Sequence, residues 1–359
     1  MWVRDFEIDP RPAASSLPLI IPLLHRRCWL LLAGCILAGC ILACPTHAQP
    51  ADTIGVSSLL RGAHLGIGAN LQADAAVNRS DDTDGFDIRV ARLRMRGAVD
   101  AASFFLQSDF ADDLAVVDVR MQVALSSRLT LRGGLYKTPF SQSVLTFRGH
   151  LPLLERPRMV DALAPQRQLG GHLAFDAVPR RLLVEGGLYN GNGDTLSPND
   201  NNSFLYIGRV SGAESLAFAT VQWGLNAGYS HDTNVEIPRT AAAFAGTRIL
   251  FGGDVTLRTQ RWRVLGEIIG AHLDATNGAE RSPLGLAIVG GVTPAEHHEV
   301  VVRYDRYNPD AITPTPNDIW ELGYTYTPNA FLKTRVHYAA SDDSLGNGAW
   351  TVRLQMVVN

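Results

Sequence analysis

The sequence predicts an all-β fold, a 16-stranded antiparallel transmembrane β-barrel. Three observations support this prediction: a strand with one arginine face and one apolar face, a series of short alternating segments, and a regular change between short and long connections. Successive side chains of a strand point to opposite faces, and a membrane barrel turns apolar residues to lipid and polar residues to its lumen. The pattern therefore favours a membrane barrel over a soluble protein.

The arginine strand lies within residues 86–97, which read FDIRVARLRMRG. One face is apolar and consists of Ala91, Leu93 and Met95. The other face carries three arginines, Arg92, Arg94 and Arg96. A soluble core cannot bury three unpaired guanidinium groups, whereas a membrane barrel offers lipid on one side and water with anions on the other. A strand of a soluble sandwich with a solvated arginine stripe is the alternative for this segment alone.

Residues 1–48 have the pattern of a signal peptide. An apolar run at residues 28–44 follows two arginines, and a Thr-x-Ala cleavage pattern ends at Ala48. A permanent membrane anchor is one alternative, because this run of 17 residues reaches the lower limit of a spanning helix. Lipoprotein processing at Cys40 is a second alternative.

After this leader we predict an N-terminal periplasmic segment at residues 49–63 and the barrel domain at residues 64–359. All 4 cysteines lie in the leader. The predicted mature chain has no cysteine, so disulfides, thiolate metal sites and cysteine nucleophiles are excluded there.

The composition restricts the classes of function. A formal net charge of −3 excludes a strongly basic nucleic-acid-binding protein. Charged residues make up 19% of the chain, below the roughly 25% usual for soluble domains. Lys137 and Lys333 are the only lysines, so arginine supplies most of the positive charge. Arginine is also the better residue for bidentate contacts with anions.

The predicted strands follow from the alternation of polarity along the chain. After the arginine strand, Phe104 and Leu106 oppose Gln107 and Asp109, and the next segments alternate in the same way. The last three segments add Trp and Tyr near their ends, as in the aromatic girdles of membrane barrels. In chain order the 16 predicted strands are 64–77, 86–97, 103–110, 117–123, 129–136, 169–176, 182–189, 204–210, 221–230, 248–257, 262–273, 284–292, 298–307, 319–327, 331–339 and 349–358.

The connections between these strands alternate in length. Those after even-numbered strands are short turns, such as residues 100–101 and 328–329, and most others are longer and rich in Asp, Asn, Gly and Pro. Outer-membrane barrels have short periplasmic turns and long external loops, so both termini are predicted on the periplasmic side. Residues 140–168 contain three prolines and no clean alternation, and they form the longest connection, the third external loop.

Signatures of enzymes and metal sites are missing. Residues 187–193 are glycine-rich but lack the lysine and the helix of a phosphate-binding loop. Adjacent His297 and His298 point to opposite faces of a strand, which disfavours metal binding there. We therefore predict no catalytic residue, no metal and no cofactor.

The chemistry of this chain lies in charges that parity directs to the lumen. The basic side chains are Arg92, Arg94, Arg96, Arg120, Arg132, Arg263, Arg303, Lys333, Arg335 and Arg353. The acidic ones are Asp109, Asp118, Glu267, Asp305 and Glu321. A row of guanidinium groups favours a partly dehydrated anion, and several weak sites in series allow the anion to leave again. The alternative is that these arginines only pair with the acids.

Residues 86–210 resemble the phosphate-selective porin O and P family. The matching pieces, in family order, are FDIRVARLRMRG, FFLQSDFAD, LTLRGGLYKTPFS, LLERP, LAPQRQLGGHLA, GGLYNGNGD and NDNNSFLYIGRV. The resemblance implies a usually trimeric outer-membrane barrel with 16 strands, an inward-folded third loop and an arginine ladder for phosphate or polyphosphate. A chain terminus without an aromatic residue departs from the usual pattern.

We therefore expect a passive outer-membrane channel for small anions that prefers phosphate or polyphosphate. A general diffusion porin and a plugged barrel without a channel are the alternatives. The expected partners are inorganic phosphate or other small anions, outer-membrane lipid and two further copies in a homotrimer, with no nucleic acid. The candidate pore-lining residues are Arg92, Arg94, Arg96, Arg120, Arg132, Lys137 (the lysine of the family's Lys-Thr-Pro-Phe motif) and Arg335. The candidates for the constriction loop are Arg148, Arg156 and Arg158.

Overall fold

The computed structural model describes most of the predicted barrel domain. The described residues are 64–78, 83–111, 114–193, 196–235, 244–309, 317–341 and 349–358. The predicted signal peptide, the predicted periplasmic segment and Asn359 lie outside these ranges. Among the described residues, no helix has both the length and the apolar character needed to cross a membrane.

Long strands make up the wall. In chain order they are β1 His64–Asn78, β2 Thr83–Val99, β3 Ala102–Asp109, β4 Ala115–Ala124, β5 Leu129–Lys137, β6 Arg167–Val178, β7 Leu182–Tyr189, β8 Leu205–Ser215, β9 Thr220–Val235, β10 Phe244–Arg258, β11 Trp262–Ala275, β12 Leu284–Ala295, β13 His298–Asn308, β14 Asn317–Tyr326, β15 Leu332–Ser341 and β16 Ala349–Val358. A further two-residue strand, Glu280–Arg281, pairs with β11 inside the connection to β12.

The sheet closes on itself. Each wall strand pairs antiparallel with its neighbours in sequence, and β1 also pairs with β16 from Ala69 opposite Val358 to Asn78 opposite Ala349. Closure removes the unpaired edges of the sheet, as a structure surrounded by lipid requires. The predicted 16-stranded antiparallel barrel is confirmed.

Several strands are longer than predicted. β9 extends to Val235 and β10 begins at Phe244, whereas the alternation of polarity supports only 221–230 and 248–257. β2 begins at Thr83, inside the predicted connection between the strands 64–77 and 86–97. Ladder hydrogen bonds join backbone groups whatever the side chains are, so pairing continues where the apolar alternation has ended.

The two faces of the wall have opposite polarity. On β9, Leu225 is 62% exposed on the outer face, while its neighbour Asn226 is 7% exposed on the other face. We call the face that carries Asn226 the inner face. Exposed apolar side chains outside and buried polar side chains inside are the reverse of a soluble protein, and they match the lipid-facing and lumen-facing sides of a membrane barrel.

Residues 138–166 connect β5 to β6 and contain the only helices of the described residues. They are α1 Gln142–Leu145, a 3₁₀ turn at Arg148–His150, and α2 Arg158–Leu163. We call this connection the loop-3 segment. The predicted boundary at residue 168 is wrong because Arg167 and Gln168 already pair with Lys137 and Tyr136 of β5.

Apolar side chains of the loop-3 segment pack on one part of the inner face. They include Phe140, Val144, Met159, Val160 and Leu163. Their partners lie on β5, β7, β8 and β10–β13, and include Tyr136, Tyr189, Leu205, Leu250, Ile269, Ala287 and Tyr307. This packing fills one side of the barrel with a hydrophobic core. The inner faces of β2–β4 contribute no residue to that core among the described residues.

Candidate functional site

The inner face of β2 presents the three arginines of the alternating stretch. Arg92 Nε lies 2.6 Å from Oδ2 of Asp109 on β3, and Arg94 Nη2 donates to the carbonyl oxygen of Val358 over 3.1 Å. The Arg94 guanidinium also lies over the ring of Phe147, 4.9 Å from its centroid. The structure thus places the basic strand where the loop-3 segment comes close to the wall.

Glycines on β1 make room for these long side chains. Gly66 and Gly68 are the β1 residues opposite Arg96 and Arg94. A Cβ atom at Gly66 would lie 3.1 Å from Arg96 Nε, which is tighter than ordinary van der Waals contact. The missing side chains allow the guanidinium groups to lie along the wall instead of being pushed across the lumen.

Arg96 and Arg120 are two inner-face arginines that lie side by side across one strand. The two residues flank Phe105 in the β2–β3–β4 register, and Arg120 lies 5.3 Å from the centroid of its ring. Both line one cleft next to the short β2–β3 turn. Neither forms an ion pair with any described residue. Asp118, the nearest acid along β4, pairs instead with Arg167 over 3.1 Å.

Most other inner-face arginines are matched by a carboxylate. The ion pairs are Arg132–Glu185, Arg167–Asp118, Arg209–Asp254, Arg248–Asp232, Arg263–Glu299, Arg303–Glu321 and Arg353–Asp74. Arg132 also donates to Gln122 over 2.7 Å. Positive and negative charges therefore balance over much of the wall, and the balance is broken around Arg96 and Arg120.

Two predicted pore-lining residues instead hold the loop-3 segment. Lys137 Nζ donates to the carbonyl oxygen of Thr146 over 2.8 Å, and Arg335 Nη2 donates to that of Gly149 over 2.9 Å. Lys333 Nζ also donates to Gly149 over 3.1 Å. These hydrogen bonds connect the segment to β5 and β15, so these side chains serve its positioning.

Two of the three arginines predicted for the constriction loop are also buried in contacts that hold the loop-3 segment. Arg158 is buried and pairs with Asp305 on β13, and Arg156 is buried with Nε donating to the carbonyl oxygen of Ser143 over 2.8 Å. Burial and the nearby Arg148 lower the pKa of Arg156 to about 10, so it stays cationic at neutral pH. Arg148 Nη2 lies 3.5 Å from Oε2 of Glu155, a side chain that is 36% exposed.

A second attachment uses a buried carboxylate that strand parity directs to the inner face. Glu267 on β11 accepts hydrogen bonds of 2.5 Å from the hydroxyl groups of both Ser141 and Ser143. Ser141 has a φ of 70°, in the left-handed region, and its side chain points toward Glu267. The same side chain caps the N-terminus of α1. The described residues contain no group of three or more His, Cys, Asp or Glu side chains that could hold a metal ion.

The comparison with known families decides the identity of this barrel. The family model described as phosphate-selective porin O and P matches residues 63–245, just over half of the chain. The chain belongs to this family. The resemblance read from the sequence is confirmed, and the barrel is an outer-membrane porin with many membrane-spanning strands.

Solved structures support the fold of this porin. It is similar to an anion-selective porin from Comamonas acidovorans, with 12% identity, a TM-score of 0.63, and coverage of 82% of this chain and 99% of that one. The outer-membrane channel DcaP of Acinetobacter baumannii is 8% identical, with a TM-score of 0.59 and coverage of 84% and 99%. OmpT of Vibrio cholerae, solved in a trimer form, is 12% identical with a TM-score of 0.59, and the match covers 82% of this chain and 99% of that one. No curated protein matches the sequence.

Sequence reasoning missed several residues of this site. Four of them lie on strands whose side chains alternate in polarity, so the parity rule could have placed them on the inner face. They are Arg209, Asp232, Arg248 and Asp254. Glu155 lies in the loop-3 segment, where no alternation exists to show which wall it contacts.

Proposed function

We propose that this porin is a passive diffusion channel for small anions with a preference for phosphate-type oxyanions. One observation carries the proposal: Arg96 and Arg120 face the inside of the barrel on either side of Phe105, and neither has an ion-pair partner among the described residues. Arg92 and Arg94 continue the same basic stretch along β2. The route we propose follows β2–β4, opposite the hydrophobic core.

Guanidinium groups in this arrangement suit an oxyanion. An arginine presents a planar fork of N–H donors that matches the oxygen atoms of a phosphate, and charge-assisted hydrogen bonds of this kind are about twice as strong as neutral ones. Alternate residues of a strand lie about 7 Å apart, so an anion can move between neighbouring arginines. Binding at each one is weak enough to permit release, as conduction requires.

The loop-3 segment supports a selective channel over a wide general one. It is attached to β5, β11, β13 and β15, so it narrows the barrel at a fixed position. We propose that Arg148 and Phe147 border the remaining passage beside Arg94. A narrow passage removes part of the hydration shell of an anion, which strengthens its interaction with nearby arginines.

We also propose that the porin assembles as a homotrimer in outer-membrane lipid and has no enzymatic activity. The trimer form of the Vibrio cholerae relative and the family membership support the trimer. The outward apolar side chains, such as Leu225 and Met121, suit contact with lipid or with another protomer.

Titration with inorganic phosphate tests the proposed preference. We expect phosphate to reduce the chloride conductance of the purified porin in a planar bilayer, with half of the effect at about 1 mM or below, which corresponds to about −4 kcal/mol of binding free energy. A chloride current that does not respond to phosphate would leave a general diffusion porin. Absence of any conductance would leave a plugged barrel.

A further inference from the structure

Glu155 lies within reach of three arginines from three different parts of the chain. Its Oε1 is 3.3 Å from Arg89 Nε of β2 and 3.2 Å from Arg353 Nη2 of β16, and its Oε2 is 3.5 Å from Arg148 Nη2 of the loop-3 segment. We call these three arginines the Glu155 cage. Guanidinium groups converging on one pair of oxygen atoms form the kind of site that a phosphate or a carboxylate fills.

The backbone fixes Glu155 in this place independently of its carboxylate. Its carbonyl oxygen accepts a hydrogen bond of 2.8 Å from Arg303 Nη1, and the carbonyl oxygen of Leu154 accepts one of 3.0 Å from Arg353 Nη1. Neutralising the Glu155 side chain therefore leaves these attachments intact. The cage itself is also supported, because Asp74 binds Arg353 through both of its oxygen atoms at 2.6 Å.

The Glu155 carboxylate is charged, and solvent reaches it. Burial by itself would raise its pKa, but Arg148, Arg89 and Arg353 together hold the pKa below its ordinary value. The side chain is 36% exposed, whereas that of Arg353 is 3% exposed. A mobile anion can therefore approach the cage from the side of Glu155.

We propose that Glu155 is a resident counter-ion that occupies an oxyanion site of the pore and competes there with the anions that pass. This inference rests on the proposed function, because it assigns to Glu155 the control of how firmly this channel holds its anions. A carboxylate attached to the chain has a high effective concentration at the cage. A passing oxyanion has to displace it, so binding at the cage is weak and release is fast. Without the carboxylate, the cage would retain the anion.

The test compares Glu155→Gln with the unmodified porin by titration with inorganic phosphate. Glutamine keeps the size of the side chain and removes its charge. We expect the phosphate concentration that halves the chloride conductance to fall about tenfold, which corresponds to about 1.4 kcal/mol. We also expect the zero-current potential in a KCl gradient to shift toward that of a chloride-selective pore.

Glu299→Gln is the matched control. It removes the same charge from the inner face, but Glu299 pairs with a single arginine, Arg263, at 2.9 Å. We expect its half-blocking phosphate concentration to stay within about twofold of the unmodified value, because removing this carboxylate frees one arginine and leaves no set of converging arginines. Glu155→Ala provides the same measurement if the glutamine variant does not assemble.

The outcomes separate this inference from the proposed function. If the unmodified porin ignores phosphate but Glu155→Gln binds it, the preference for phosphate is wrong and the role of Glu155 stands. If Glu155→Gln and Glu155→Ala give the same half-blocking concentration as the unmodified porin or as Glu299→Gln, the role of Glu155 is overturned.

Discussion

Replacing Arg96 and Arg120 together by glutamine is expected to remove most of the proposed preference of the channel for chloride over potassium. Neither arginine has an ion-pair partner among the described residues, so no directly bound carboxylate cancels the charge that each presents to a passing ion. At about 7 Å and an effective dielectric constant of about 20, each charge contributes about 2 kcal/mol before screening by salt. Screening by salt reduces each contribution to roughly half. Loss of both charges then lowers the permeability ratio of chloride to potassium by about tenfold or more. Zero-current potentials of the two proteins provide the measurement.

The control for this prediction removes two arginines outside the lumen. Arg128 and Arg180 are exposed in short turns between strands, and their double replacement by glutamine changes the net charge equally. We expect its potential to remain near that of the unmodified porin. An unchanged potential in the Arg96 and Arg120 variant, with both variants assembled, would contradict the assignment of these two residues to the anion path.

Gly285→Val is expected to release α2 from the wall and to widen the pore. A Cβ atom at Gly285 of β12 would lie 2.3 Å from the Cβ of Met159, a contact that a side chain cannot make unless the helix moves. Overpacking of this kind costs about 1–3 kcal/mol, so displacement of the short helix is the cheaper response. We expect the single-channel conductance to rise about twofold or more, and resistance to thermal unfolding to fall.

Gly290→Val serves as the control because it lies on the same strand. No heavy atom is within 4 Å of a Cβ atom at this position, which is exposed on the outer face. Conductance and thermal stability should therefore remain unchanged. If Gly285→Val also left the conductance unchanged, the loop-3 segment would not determine the width of the channel.

The fold could be predicted from the sequence because the alternation of polarity that identifies a barrel strand lies within the strand itself. On β2, each arginine alternates with an apolar residue, and this is enough to identify both faces of the strand. The same rule locates every strand of the wall. It underestimates strand length at positions such as 231–235, where the side chains become polar but the backbone ladder continues.

The candidate site could be predicted only in part. Parity places Arg96 and Arg120 inside the barrel, and their lack of ion-pair partners depends on neighbours that only the fold brings near. Lys137 and Arg335 reach the loop-3 segment rather than open lumen, because that segment crosses to walls far away in sequence. No local pattern in residues 138–166 predicts such contacts. The Glu155 cage could not be predicted for the same reason, because its arginines are brought together only by the fold.

The zero-current potential of the unmodified porin under a KCl gradient tests the central claim most directly. The measurement uses purified protein in a planar bilayer and needs no variant. An excess of uncompensated arginines on the inner face predicts a potential with the sign set by chloride movement. A potential with the sign set by potassium movement would contradict an anion-selective channel.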